Sequence, residues 1–272
     1  MSRKVRLDAL LTSRGLFESR TKAAASVLAG EVLVGVDREG PPKPGMLVPS
    51  DVAVSVTERP RYVSRGGLKL ERALGSFGIG IAGRRCLDVG ASTGGFTDCL
   101  LQAGAERVIA LDVAYGELDW RIRSDDRVTV LERHNARALR PSDLPYAPDL
   151  ITVDVSFIGL VKVLPAISAC AAPRFDMLAL VKPQFELGRG RIGKGGVVRD
   201  ASARLEALVG AGRAAESVGL AVQGYCYSGL PGPAGNRESF VWCTERGRGG
   251  GVADLRVAAA AAEPDAGPEG DS

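Results

Sequence analysis

Short apolar runs separated by longer amphipathic stretches dominate the chain from residue 84 onward. Runs at 86–89, 108–111, 128–131, 150–153 and 177–181 are four or five residues long, which predicts buried strands. Helical spacing falls between several of them: from Gly95, over 160–171 and over 201–218. Another helix is predicted over 66–77, with Ser64 just ahead of it. Strands at 221–227 and 239–244 end the series with only a Gly/Pro loop between them, so they should pair antiparallel. Such alternation predicts an α/β fold on a doubly wound, mostly parallel, Rossmann-like sheet.

The first 59 residues read differently. Apolar positions within 6–11 have helical spacing and stop at Gly15; Ser19 then serves as the expected N-cap of a second helix ending before Gly30. Runs at 31–36 and 52–56 alternate as strands, with the proline-rich loop of Pro41, Pro42, Pro44 and Pro49 between them. This predicts a small α+β domain over 1–59, a stiff linker at 60–65 and the larger α/β domain over 66–246. Past Gly247, Ala, Gly and Pro dominate and five acids face two arginines, so 247–272 is expected to be a disordered acidic tail.

A length of 272 residues accommodates two domains, and 45% hydrophobic with 25% charged residues is ordinary for a soluble protein. No apolar run approaches a membrane span and the start shows no apolar leader, so a cytoplasmic protein is expected. Five scattered cysteines without a Cys-x-x-Cys pair, and the single His134, argue against a disulfide framework or a metal site. The net charge of +3 is uneven. Residues 1–65 hold 11 Lys/Arg against 7 Asp/Glu, which leaves the rest at −1 and points to a polyanionic partner for the front domain.

Between the first strand of the sheet and the following helix lies Asp88-Val89-Gly90-Ala91-Ser92-Thr93-Gly94-Gly95-Phe96. Glycines there permit a tight turn and close approach of backbone amides to a ligand. Asp112, at the tip of the next strand, is placed to accept from both ribose hydroxyls of a nucleoside, and Asn135 past the third strand is a candidate adenine contact. Gly-x-x-x-Gly-Gly is looser than the dinucleotide turn and is not arranged for a pyrophosphate. S-adenosylmethionine (SAM), whose sulfonium and amino-acid end suit a nearby acid such as Asp88, is preferred over NAD.

The end of the fourth strand, Asp154-Val155-Ser156-Phe157, lacks the Asn/Asp-Pro-Pro-Tyr/Phe of methyltransferases acting on exocyclic nitrogens. Nor does the chain contain a Pro-Cys pair for attack on a base carbon. An oxygen acceptor remains.

Four motifs now join: Ser64-Arg65-Gly66-Gly67-Leu68-Lys69-Leu70, Asp154-Val155-Ser156-Phe157, Val181-Lys182-Pro183-Gln184-Phe185-Glu186 and Asn236-Arg237-Glu238. With Arg6-Leu7-Asp8, Gly15, Ser19-Arg20, Ala23 and 30–34 in front, the chain resembles the TlyA family, some of whose members are labelled haemolysins. In that family an RNA-binding domain named for ribosomal protein S-four precedes a catalytic domain similar to the FtsJ/RrmJ ribose 2′-O-methyltransferases. The resemblance implies methylation of cytidine 2′-hydroxyls in 16S and/or 23S ribosomal RNA, and it implies Lys69, Asp154, Lys182 and Glu238 as the catalytic set. Tyr62 stands where relatives often carry Trp.

A ribose hydroxyl is a poor nucleophile at neutral pH, so something must accept its proton. Lys182 is the candidate, either as a neutral base or as a charged group stabilising the developing alkoxide. Both versions stay open at this point. Lys4, Arg6, Arg14, Arg20, Lys22 and Lys43 in the front domain are expected to reach phosphates. Arg65 is a further candidate, as are Arg189, Arg191 and Lys194 in a Gly-rich basic loop, and Phe157 could stack on a flipped-out base. The protein is expected to act as a monomer on ribosomal subunits. The alternative function is a non-catalytic RNA-binding or ribosome-assembly protein, with a haemolysin the remote third.

Overall fold

The computed structural model describes residues 4–28, 31–35, 41–56 and 60–263. Its contacts divide the chain into Met1–Pro60 and Arg61–Ser272. In the first unit, β1 (Lys4–Arg6), α1 (Leu7–Ser13), α2 (Arg20–Leu28), β2 (Val32–Val34), β3 (Leu47–Pro49) and β4 (Val54–Val56) follow one another. Leu7, Leu10, Leu11, Ala23, Val27, Val32, Val48 and Val52 form its core. Ser19 Oγ accepts from Lys22 N at 3.2 Å, the expected cap of α2. The two alternating runs pair antiparallel, with Val32 opposite Val56. A second antiparallel pair, β1 with β3, was not foreseen: β3 ends on Pro49 inside a stretch that reads as loop.

The second unit holds α3 (Arg65–Phe77), β5 (Arg85–Val89), α4 (Gly95–Gln102), β6 (Arg107–Leu111), α5 (Trp120–Arg123), β7 (Val128–Leu131) and β8 (Leu150–Val153). It continues with α6 (Leu164–Ser168), β9 (Asp176–Val181), α7 (Pro183–Glu186), α8 (Ala201–Ser217), β10 (Leu220–Tyr227), β11 (Ser239–Glu245) and α9 (Leu255–Ala262). One seven-stranded sheet runs β10-β11-β9-β8-β5-β6-β7, parallel except for antiparallel β11. Strands β8 and β9 are buried at every residue, which is why they read as unbroken apolar runs. One core face is built on Leu87, Val89, Ile109 and Ile151, and the other on Cys86, Val108, Leu150 and Phe240.

Two expectations need correction. The helix expected over 160–171 is a 3-10 turn at Leu160–Lys162 followed by α6; Pro165 sits at the start of α6, where its missing N–H costs nothing. Of the tail expected to be disordered over 247–272, the part up to 263 instead carries α9, and 264–272 lie outside the described residues. Asp254 caps it by accepting from Arg256 N (2.7 Å) and Val257 N (3.1 Å). Ala259 is fully buried, Glu263 pairs with Arg204 at 2.5 Å, and Val252 N donates to Val222 O on β10. The alanine run that suggested low complexity is a strong helix former, and its small side chains allow close packing on α8.

Candidate active site

Register decides which loops meet. Ser239 lies opposite Val181, so Glu238 and Lys182, each one residue beyond, emerge at the same edge. Val89 lies opposite both Val153 and Leu111, which aligns Gly90, Asp154 and Asp112 there as well. Gly90 has φ +85°, and a Cβ on it would meet Asp154 O at 2.4 Å, so a larger residue would force the two turns apart. Lys69 reaches the same place from α3, on its buried stripe with Gly67, Leu70, Ala73 and Leu74. The N-terminus of α3 is seated against α4, since Ser64 Oγ occupies the space 2.1 Å from a would-be Gly95 Cβ.

A pocket results that is lined by Lys69, Asp154, Lys182 and Glu238, with Arg65 and the 90–96 turn. Lys69 Nζ lies 2.5 Å from Glu238 Oε2, both side chains being nearly inaccessible. Gly232 roofs this pair: a Cβ there would fall 2.2 Å from Glu238 Oε1. Lys182 Nζ lies 2.6 Å from Asp154 Oδ1 and donates to Ser156 Oγ at 2.9 Å. The Lys182–Asp154 contact is close but off the hydrogen-bond line, so Asp154 Oδ1 has charge opposite it and no aligned donor.

A second cleft of about 510 Å³ adjoins this pocket, sharing Gly90, Ser92 and Asp154 with it. Its walls include Val89, Leu111, Asp112, Val113, His134 and Asn135. Asp112 accepts from Ser92 N (2.7 Å) and Ala114 N (2.8 Å), one bond per oxygen, and each oxygen retains a further lone pair for a hydroxyl. Asn135 Oδ1 caps the turn Ala136–Ala138 by accepting from Arg137 N, and its residue still lines the cleft. A mostly apolar cleft of this size with the Asp112 carboxylate in its lining fits a nucleoside.

Thr93, Gly95, Ala91 and Phe96 line the first pocket, where Phe96 is buried against Phe240. Gly94 forms the left-handed cap of α4 at φ +95°. Asp88 differs from its expected placement. It is fully buried, lines neither cleft, and accepts from Thr97 Oγ1 (2.7 Å) and Thr152 Oγ1 (2.9 Å). Burial pushes its carboxyl up to about 6, against the two threonine hydrogen bonds that favour the charged form. Strand β5 is buried on both faces, so alternation did not reveal which way Asp88 points.

The cations expected to meet RNA are unequally available. Arg6 and Arg20 converge on buried Asp8, whose carboxyl is lowered to about 2, chiefly by the Arg6 hydrogen bonds. Arg14 donates to Val52 O and Ser50 O, both at 2.7 Å, and so ties down a turn. Lys22 pairs with Glu18 on an exposed face, and Lys4 and Lys43 are exposed. Arg65 is exposed and donates to Pro231 O at 3.3 Å. Arg191 pairs with Glu206, while the side chains of Arg189 and Lys194 lie outside the described residues. Phe157 is 92% exposed at φ +63°, its ring 5.2 Å from that of Phe185.

Sequence reasoning gave no role to several residues that shape the site. Ser156 holds Lys182, Gly232 roofs Glu238, and Thr97 and Thr152 hold Asp88. Asn236 is buried and joins two loops, accepting from Val198 N (2.9 Å) and donating to Gly196 O (2.8 Å). Hydroxyls and amides in loops carry no periodic signal. Two of them, Ser156 and Asn236, lie inside the Asp154-Val155-Ser156-Phe157 and Asn236-Arg237-Glu238 motifs, which gave neither a role of its own.

A mostly parallel sheet with a glycine-rich first turn, an acid on the next strand tip and a reactive pocket beside the nucleoside cleft defines a Rossmann-like SAM-dependent methyltransferase. The FtsJ-like methyltransferase family model matches residues 62–245. A Mycobacterium tuberculosis protein, 16S/23S rRNA (cytidine-2′-O)-methyltransferase TlyA, is 48% identical over 89% of this chain and 90% of its own length. Hemolysin A of Brachyspira hyodysenteriae is 43% identical over 72% of this chain and 81% of its own. A solved structure from Streptococcus thermophilus, carrying a hemolysin label, is 38% identical with a TM-score of 0.70 and covers 96% of each chain. The chain belongs to the TlyA branch of the FtsJ-like methyltransferases. Its methyl donor is SAM, which supplies an electrophilic methyl carbon on a sulfonium. Among the described residues no helix is long and apolar enough to cross a membrane.

Proposed function

We propose that this protein methylates the ribose 2′-hydroxyl of cytidine in ribosomal RNA, acting as a monomer in the cytoplasm. The observation that carries the reading is the pocket itself: two lysine–carboxylate pairs open onto the space that adjoins the cofactor cleft at Gly90, Ser92 and Asp154. The M. tuberculosis relative is named for that reaction, and its likeness runs through both units of the chain. In this reading Asp112 and Asn135 hold the donor nucleoside, and the turn from Gly90 to Phe96 holds its amino-acid end. Asp88 acts from beneath by bracing that turn through Thr97.

The acceptor 2′-oxygen forms its bond to the methyl carbon as the carbon–sulfur bond breaks and the electron pair stays on sulfur. The 2′-proton leaves to Lys182, directly if the amine is neutral, or to solvent beside the ammonium if it is charged. Much of the acceleration comes from holding oxygen, carbon and sulfur in line. Lys69, fixed by Glu238, presents a cation toward the ribose-phosphate, and the front unit supplies RNA affinity through Lys4, Lys22, Lys43 and the exposed faces of Arg6 and Arg20.

The test is transfer of tritium from methyl-labelled SAM to purified ribosomal subunits, with 2′-O-methyl positions mapped by reverse-transcription stops. Label at a cytidine ribose is the expected result. Label on a base, on protein or on no RNA would overturn the reading.

A further inference from the structure

We propose that Ser156 is a positioning residue for methyl transfer: its hydroxyl oxygen sets the direction of Lys182 Nζ, while Asp154 supplies charge. This rests on the reading of the pocket given above. Lys182 has two neighbours of different kinds. Asp154 Oδ1 is the nearer at 2.6 Å, yet it lacks hydrogen-bond alignment with any donor. Ser156 Oγ, at 2.9 Å, is the acceptor that Lys182 meets in hydrogen-bond geometry among the described residues. Coulomb attraction is weakly directional, and an aligned hydrogen bond is strongly so. Asp154 therefore keeps the amine near, and Ser156 decides which of its tetrahedral directions faces the pocket.

The backbone is built for this. Asp154 N donates to Val89 O at 2.8 Å, and Asp154 O abuts Gly90, so the strand end cannot slide. Three residues later Phe157 adopts φ +63°, a left-handed conformation that a bulky side chain avoids without compensation. That turn sends the Phe157 ring outward, 92% exposed, and leaves Ser156 facing Lys182 from the cofactor-cleft side. Lys182 faces the acceptor pocket, so the Ser156–Lys182 bond bridges the two cavities.

The proton count agrees with such a role. A neutral amine with one N–H given to Ser156 keeps a lone pair and a second N–H. As the 2′-oxygen bonds to the methyl carbon, the proton passes to that lone pair, and the resulting ammonium holds three hydrogens. One stays on Ser156, one faces Asp154 and one faces the new ether oxygen. If Lys182 is charged from the start, the same bond aims one of its other hydrogens at the developing alkoxide.

The experiment compares Ser156→Ala and Ser156→Thr with the unaltered full-length protein, using methyl-labelled SAM and ribosomal subunits. For Ser156→Ala, kcat should fall by about five- to tenfold, the effect of one directional hydrogen bond. KM for RNA and for SAM should stay within about twofold, and the threonine hydroxyl should restore most of kcat. Acetic anhydride labelling of Lys182, read by mass spectrometry, needs no turnover and should rise severalfold in Ser156→Ala. Unchanged kcat, or a rise confined to KM for SAM, would overturn the proposal, the latter assigning Ser156 to donor binding. If the unaltered protein labels no ribose, the reading of the pocket fails instead. Lys182 labelling then still decides about Ser156, and an unchanged rate overturns it.

Discussion

The two lysine–carboxylate pairs of the site use the same chemistry in opposite settings. Lys69 and Glu238 are 8% and 1% exposed, roofed by Gly232 and held between α3 and the start of β11. Lys182 and Asp154 are 12% and 26% exposed, misaligned with each other, and completed by a serine hydroxyl. A buried, aligned pair has its charges fixed, so along the pocket wall it can present a cation to a substrate without exchanging a proton with it. An open pair with one unaligned carboxylate oxygen can reorganise when a proton arrives. In the proposed reaction the first is a fixture and the second is the working end, and the contrast makes their substitutions separable.

The largest effect belongs to the open pair. Lys182→Met should lower kcat by about 10²–10⁴-fold, the range for losing a positioned acid–base group. Asp154 is 26% exposed but its Oδ1 is buried against Lys182, so stability should fall by about 1–3 kcal/mol, less than at the sealed pair. Single-turnover transfer from labelled SAM and urea unfolding measure the two quantities. Retained turnover would remove Lys182 from the chemistry and undo the contrast at its root.

The sealed pair should show the reverse emphasis. Lys69→Met leaves Glu238 charged, buried and unpaired, at a cost of about 3–5 kcal/mol. Adding Glu238→Leu removes the orphan and should recover most of that loss, while methyl transfer stays impaired because the cation is gone. A double-mutant cycle on unfolding free energies gives the coupling directly. Additive losses in the cycle would mean that the two side chains do not depend on each other, and that the fixture is not one.

How far the sequence foretold this arrangement depends on the kind of signal each residue leaves. The strands of the large sheet were legible because buried strands carry unbroken apolar runs; β7 and β8 fall on the same residues that the pattern predicts. Lys69 was marked by the Ser64–Leu70 motif on a predicted helix, and Lys182, Asp154 and Glu238 stand at strand ends that the register brings to one edge. What the pattern could not carry was orientation. Ser156 and Asn236 act through loop geometry, and Arg14 is captured by carbonyls 36 and 38 residues away. Charge alone counted Arg14 as an RNA contact, because formal charge does not record which backbone oxygens fold back onto it. Helix α9 was hidden by its own composition, since five alanines in a row read equally as helix or as filler.

Asp88 extends the comparison to a third carboxylate. Like Glu238 it is sealed, at 0% against 1% exposure, but its partners are the hydroxyls of Thr97 and Thr152 in place of a cation. Hydroxyls offset burial only partly, so its carboxyl is raised to about 6, where an unfolded aspartate titrates near about 4. The folded protein therefore binds this proton more tightly than the unfolded chain. The resulting stabilisation is complete below about pH 4 and is lost as pH rises through about 6, a swing of order 3 kcal/mol. Asp88→Asn cannot ionise, so the stability difference between the unaltered protein and this variant should shift by about that amount, against the unaltered protein, from about pH 4 to pH 7. Taking the difference cancels groups of opposite sign, such as Glu245, which Arg248 holds down to about 2 and which loses its contribution as pH falls. Urea unfolding of both proteins at steps across that range measures the shift. A difference that stays flat with pH would mean that two threonine hydroxyls compensate a buried carboxylate as fully as Lys69 compensates Glu238, and that the cation in the sealed pair is there for the substrate and not for the fold.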